Sequence, residues 1–202
     1  MNRQDKPTHD RCLVEAELRA RAAYAGPDRH YHCERHLDSC LRLLDGVAGL
    51  DERERRVLRW AILWHDAVYE PGGFDNEERS AELAERELRA CGVDQFEASE
   101  VAWLIMLTKR HQAPPDSRLG ALLVSIDLAV LGDEPAAYRD YAMSVRREYA
   151  HVPDAMWQAG RAEVLKRLLA RDPIYAAPEL RARFEQQARR NMEEELRALA
   201  EG

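Results

Sequence analysis

The stretch Trp64-His65-Asp66-Ala67-Val68-Tyr69-Glu70 decides how this chain is read. It closes an apolar run (Val57, Leu58, Trp60, Ala61, Ile62, Leu63, Trp64) with an imidazole followed directly by a carboxylate. A carboxylate taken into a core costs free energy unless a metal or a cationic partner meets it. The pair therefore reads as two ligands for one divalent first-row ion, which accepts neutral imidazole and carboxylate alike. Two ligands are too few, and the remainder must come from elsewhere in the chain.

Working outward, Asp51 with Glu54 three residues later is a capping-box signature for a helix that runs into His65-Asp66, and Pro71-Gly72-Gly73 breaks it. Upstream, Leu13, Val14, Leu18 and Ala22 predict a helix over 10–25, stopped by Gly26-Pro27. A second helix is expected from about Asp28, with Leu37, Leu41 and Leu44 inward. Its segment RHYHCERH places His32 and His36 at i and i+4, one turn apart on one face. The bland alternative is two surface histidines without a role.

Downstream, Asp75 is the expected N-cap of a helix ending at Gly92, and a further helix over 94–109 sets Val101, Leu104, Ile105 and Thr108 on one face. The run LGALLVSIDLAVLG (119–132) predicts a buried helix with Asp127 as its one charged interior residue. Amphipathic helices follow over 134–149 and 154–171. A charged last helix from about 178 to 200 is expected to pack a narrow stripe, Leu180, Phe184, Leu196 and Leu199. No strand pattern appears, so the fold class expected is all-α, one helical-bundle domain over 1–202 with the last helix packed on it.

Composition narrows the function classes. With 46% hydrophobic and 33% charged residues the chain suits a globular protein, and a net charge of -7 argues against bulk nucleic acid as a partner. Small anionic substrates stay open, because a metal and a few arginines make a locally positive pocket. The segment MNRQDKPTHD lacks the apolar centre of a signal peptide, and no stretch has the length of a membrane span. Cys12, Cys33, Cys40 and Cys91 show no C-x-x-C spacing and are read as reduced thiols. No membrane partner and a cytoplasmic protein, monomer or homodimer, are the resulting expectations.

Asp127 carries the site reading further, since an unpaired carboxylate inside the most apolar helix is costly. A buried ion pair to an arginine is the alternative. His36, His65, Asp66 and Asp127 then make two nitrogen and two oxygen ligands, a set suited to a hydrolytic divalent ion.

In this order the residues resemble the HD superfamily of metal-dependent phosphohydrolases, whose signature is a helix His, a His-Asp pair and a distant helix Asp. RHYHCERH, WHDAVYEPGGFDNEERSAEL, DLAVLG and REYAHVPD are similar to short stand-alone predicted phosphohydrolases of that superfamily, over nearly the whole chain. The resemblance implies an all-helical fold, a divalent ion (manganese, nickel, iron, magnesium or zinc) on His36, His65, Asp66 and Asp127, and a phosphate ester as substrate, most often of a nucleotide. The Y-H-x-x-x-H spacing also occurs in the cyclic-nucleotide phosphodiesterase branch, which implies His32 as proton donor to the leaving oxygen. The aromatic and glutamine clamp of that branch cannot be located here.

Weaker candidates surround this set. Asp75, Asn76 and Glu77 resemble the acidic pair with which alarmone hydrolases position water, with Glu77 as the catalytic candidate; a helix N-terminus explains the same acids. Lys109 and His111, with Arg110, are candidate phosphate contacts, His111 also a candidate second-metal ligand. Arg29, Arg146 and Arg147 are candidate phosphate forks. Competing functions are a nucleotide-sensing module without turnover and a di-iron oxygenase. The latter needs more histidines between Asp66 and Asp127 than His111.

Overall fold

In the computed structural model, which describes residues 9–201, the apolar run 57–64 is buried except at Arg59, and this makes α3 (Glu52–Trp64) the central helix. Its start is the expected capping box: Glu54 N–H donates to Asp51 Oδ1 at 2.7 Å and Asp51 N–H to Glu54 Oε2 at 3.0 Å. Around α3 stand α1 (His9–Ala23), α2 (Glu34–Asp45), α4 (Asn76–Ala90), α5 (Gln95–Thr108) and α6 (Arg118–Asp127). Val101, Leu104, Ile105 and Thr108 of α5 are buried together, as their spacing predicts. The chain continues through a 3-10 segment (Leu128–Gly132), α7 (Pro135–Glu148), α8 (Asp154–Leu169) and α9 (Pro178–Glu201). The described residues include no strand, so the all-α class holds.

Several local expectations need correction. The second helix begins at Glu34, not near Asp28, so His32 lies in the loop before it. The N–H groups of His30, Tyr31 and His32 all donate to Glu148 Oε1 at 2.7–2.9 Å, which holds this stretch as a loop against the end of α7. Asp127 is the last residue of α6, where the helix tightens into the 3-10 segment, rather than mid-helix. Asp75 occupies the N-cap position of α4 without a capping bond. Asn76 instead accepts from the Glu70 N–H and donates to the Glu70 carbonyl, while Ser80 does the same for Val68.

Cys12 and Cys91 form a disulfide, contrary to the reduced-thiol reading; Cys33 and Cys40 are free. α1 packs against α4 and brings the two Cα atoms to 5.3 Å across 79 residues, a proximity that local spacing does not encode. The thiol argument for the cytoplasm no longer holds. No described helix is long and apolar enough to cross a membrane. The signal-peptide reading concerns mainly residues 1–8, which lie outside the described ones.

α9 buries more than the narrow stripe expected: Ala188, Asn191 and Met192 join Leu180 and Phe184, with Leu196 and Leu199 at the margin. Its partner is the 3-10 segment. Asn191 donates to the Leu131 and Asp133 carbonyls at 2.9 and 2.8 Å, and Tyr175 to Leu128 at 3.1 Å. A Cβ at Gly132 would stand 2.5 Å from Phe184 Cβ and 2.7 Å from its carbonyl oxygen. Gly132→Ala should therefore cost about 2 kcal/mol or more in urea unfolding, as overpacking against backbone does. An unchanged midpoint would remove α9 from the support of the segment after Asp127.

Candidate metal centre

Three separated stretches deliver the four expected ligands to one place. α2 presents His36 from its first turns, the end of α3 presents His65 and Asp66, and the end of α6 presents Asp127. His36 Nε2 lies 3.2 Å from His65 Nε2, 3.2 Å from Asp127 Oδ1 and 3.8 Å from Asp66 Oδ2. His65 Nε2 lies 3.1 Å from Asp66 Oδ2 and 3.6 Å from Asp127 Oδ1. Ligands at about 2.1 Å from one ion stand about 3.0 Å apart along an octahedral edge and about 3.4 Å along a tetrahedral one. Three of the five separations, 3.1–3.2 Å, fall between these edges, and those of 3.6 and 3.8 Å lie beyond them.

The chemistry of the donors fits a cation as well. Among the described residues the carboxylates of Asp66 and Asp127 pair only with imidazoles, never with Lys or Arg. Burial pushes both carboxyls up, yet the facing imidazoles, His65 foremost, hold them below the usual range. Burial likewise opposes charge on His36, but Cys40 and Asp127 outweigh it and push the ring up to about 10. Two negative charges thus demand positive charge between them, which a dication answers with both imidazoles neutral. His65 is prepared for that state: Nδ1–H donates to the Ile62 carbonyl at 2.8 Å, so Nε2 turns its lone pair to the centre.

Asp66 and Asp127 also line a cleft of about 1070 Å³ whose wall includes His32, Tyr69, Glu77 and His111. His32 stacks on Tyr69 with centroids 4.0 Å apart, and its Nδ1 meets Glu148 Oε2 at 2.7 Å. Tyr69 donates to the same oxygen at 3.0 Å. Glu148 is the functional residue that sequence reading missed; its only sequence signal is the segment Arg147-Glu148-Tyr149 within REYAHVPD. Fully shielded, it holds the His32 loop through Oε1 and the His32 ring through Oε2.

The weaker candidates separate. Arg29 is no phosphate fork: its guanidinium donates to the His32, Asp66 and Ala67 carbonyls at 2.7–3.0 Å and clamps the His32 loop to the His65-Asp66 turn. Arg147 is exposed and outside the cleft wall, and Arg146 is bound to the Tyr149 and Val152 carbonyls and Asp154. Lys109 lines the cleft but donates to the Phe74 carbonyl and Glu78. His111 has φ of 46°, in the left-handed region, and its Nε2 reaches Asp127 Oδ2 at 3.0 Å. The oxygen of Asp127 that faces away from His36 is thereby held, and Arg171 fixes the strained residue through its carbonyl at 2.8 Å. Glu77 lines the cleft from the first turn of α4.

No protein-family model, no curated protein and no solved structure matches this chain.

Burial raises the Glu148 carboxyl, but the His32 bond and the backbone N–H groups of Tyr31 and His32 bring it from 4.5 down to about 2. A depressed folded-state pKa adds stability that is present above the unfolded value and lost as pH falls through the folded one. The protein should therefore lose stability between pH 4.5 and about 2 partly through this group. Glu148→Gln should flatten that part of the unfolding-versus-pH curve, measured by denaturant titration. Glu148→Ala, which orphans three N–H groups, should cost about 3–5 kcal/mol at neutral pH.

Proposed function

We propose that this protein is a metal-dependent phosphohydrolase of the HD type, acting on a phosphate ester of nucleotide size. The observation that carries the reading is the gathering of His36, His65, Asp66 and Asp127, whose imidazole nitrogens lie 3.1–3.8 Å from one another and from the carboxylates, at a place where Asp66 and Asp127 line the cleft that also holds His32. A divalent ion held by these four residues supplies a Lewis acid for phosphoryl oxygens and a source of hydroxide at neutral pH.

The chain's own groups supply the rest. His32 has one ring nitrogen committed to Glu148, which leaves Nε2 as the atom that delivers a proton to the leaving oxygen. The Glu148 carboxylate orients the ring through Nδ1, and Tyr69 fixes the ring plane by stacking. Asp127 stays oriented because His111 holds its second oxygen. Uncatalysed phosphate-ester hydrolysis is among the slowest reactions enzymes accelerate, so orientation and electrostatics have to act together.

A di-iron oxygenase would need further imidazoles, and His111, the one histidine between Asp66 and Asp127, faces the outer oxygen of Asp127. A sensing module needs no acid, whereas here a buried glutamate orients one.

Purified protein loaded with manganese or nickel should release phosphate, or open a phosphodiester, from a nucleotide panel without oxygen. Asp66→Ala should lose both metal and turnover. His32→Ala should keep its metal and lose roughly 10²–10⁴-fold in turnover, with leaving groups that need no proton spared. Equal loss of metal in His32→Ala and His36→Ala, or an activity that consumes oxygen, would overturn the reading.

A further inference from the structure

The cleft extends well past the four gathered side chains, and α8 forms one of its walls. Trp157, Gly160, Val164 and Leu168 all line it, and from Trp157 to Leu168 the helix rises about 17 Å. The two ends of this wall differ. Beyond Leu168, Arg171 spends its guanidinium on the Arg110 and His111 carbonyls. At the other end the surface is aromatic and lies on the His32 side. Tyr149 follows Glu148, whose carboxylate holds His32, and the Tyr149 ring stands 5.3 Å from that of Trp157.

Gly160 interrupts the wall. Residues four apart on a helix form a ridge, here Met156, Gly160 and Val164, and the glycine leaves a gap one side chain deep. Nothing in the fold calls for it. Gly160 is exposed, its φ is not in the left-handed region, and a Cβ there would meet no atom within 4 Å. Glycine is among the poorest helix formers, so the position costs stability without gaining any packing.

The groups beside the gap are already fixed. The Arg146 guanidinium lies 5.4 Å from the Trp157 ring centroid and is itself bound to the Tyr149 and Val152 carbonyls and to Asp154. The Tyr149 hydroxyl accepts from the Gly72 N–H at 3.2 Å. Rings held in this way lose little freedom on meeting a ligand. Met156, 68% exposed, adds a flexible thioether that adapts to the edge of a ring.

We propose that the stretch of cleft at Gly160 and Trp157, with Tyr149 and Met156 beside it, is a subsite for a planar aromatic ring, the base of a nucleotide. Stacking of a base on an aromatic side chain tolerates any base, since each has a π-face. The direction of the ligand rests on the phosphohydrolase reading: His32 gives its proton to the leaving oxygen, so the leaving nucleoside extends past His32 toward Tyr149 and Trp157.

The test is equilibrium dialysis of the full chain in chelator, where no turnover competes, with adenosine and uridine 5′-monophosphates against ribose 5-phosphate. Wild type should bind at least one nucleotide about tenfold more tightly than the sugar phosphate, the scale of one stacked base. Gly160→Leu, which fills the gap, should bring that ratio close to one while its urea midpoint stays at or above that of wild type. Trp157→Ala should lower the ratio as well. Gly160→Ala should raise the urea midpoint, as expected of a glycine that the fold does not need. A ratio near one for both nucleotides in wild type, a ratio that survives Gly160→Leu, or a lower midpoint in Gly160→Ala would overturn the proposal. Metal-dependent phosphate release by a wild type that binds nucleotide and sugar phosphate equally would sink this inference and leave the phosphohydrolase reading standing. A Gly160-dependent ratio without turnover on any metal would do the reverse.

Discussion

Two half-buried carboxylates with only imidazoles for ion-pair partners are the constraint on which this molecule depends. Asp66 and Asp127 arrive on different helices, and neither has a Lys or Arg to neutralise it among the described residues. Burying such a pair is tolerable only when the surrounding geometry is held firmly. Much of the polar hydrogen bonding nearby serves that end. Arg29 ties the His65-Asp66 turn to the His32 loop, Asn76 and Ser80 hold the segment that follows, and His111 holds the far oxygen of Asp127.

The second half of the chain acts as a frame for the first. α9 presses on the 3-10 segment behind Asp127, and Arg161 of α8 joins Glu195 of α9 at 2.7 Å, buried against Tyr141. Arg189 of α9 donates to the Arg171 carbonyl at 2.7 Å, and Arg171 in turn holds the carbonyls of Arg110 and His111. Strain at His111 is thus maintained through two successive guanidinium contacts.

Periodicity and capping made the helices legible. The Asp51–Glu54 box and the buried faces of α3 and α5 follow from nearest-neighbour rules. The gathering of His36, His65, Asp66 and Asp127 was legible for a different reason: a charge in an apolar run has few inexpensive explanations. What sequence did not reveal depends on distant partners. Cys12 meets Cys91, Arg29 spends its guanidinium on carbonyls, and the loop before α2 is held by Glu148, 116 residues beyond His32. None of these leaves a trace in local spacing.

The Glu148 contact has a conformational meaning as well. Residues 28–33 contain no proline or glycine, and the N–H groups of His30, Tyr31 and His32 all converge on one carboxylate oxygen. One side chain at the end of α7 thus sets the path of three successive residues, and with it the bearing of the His32 ring.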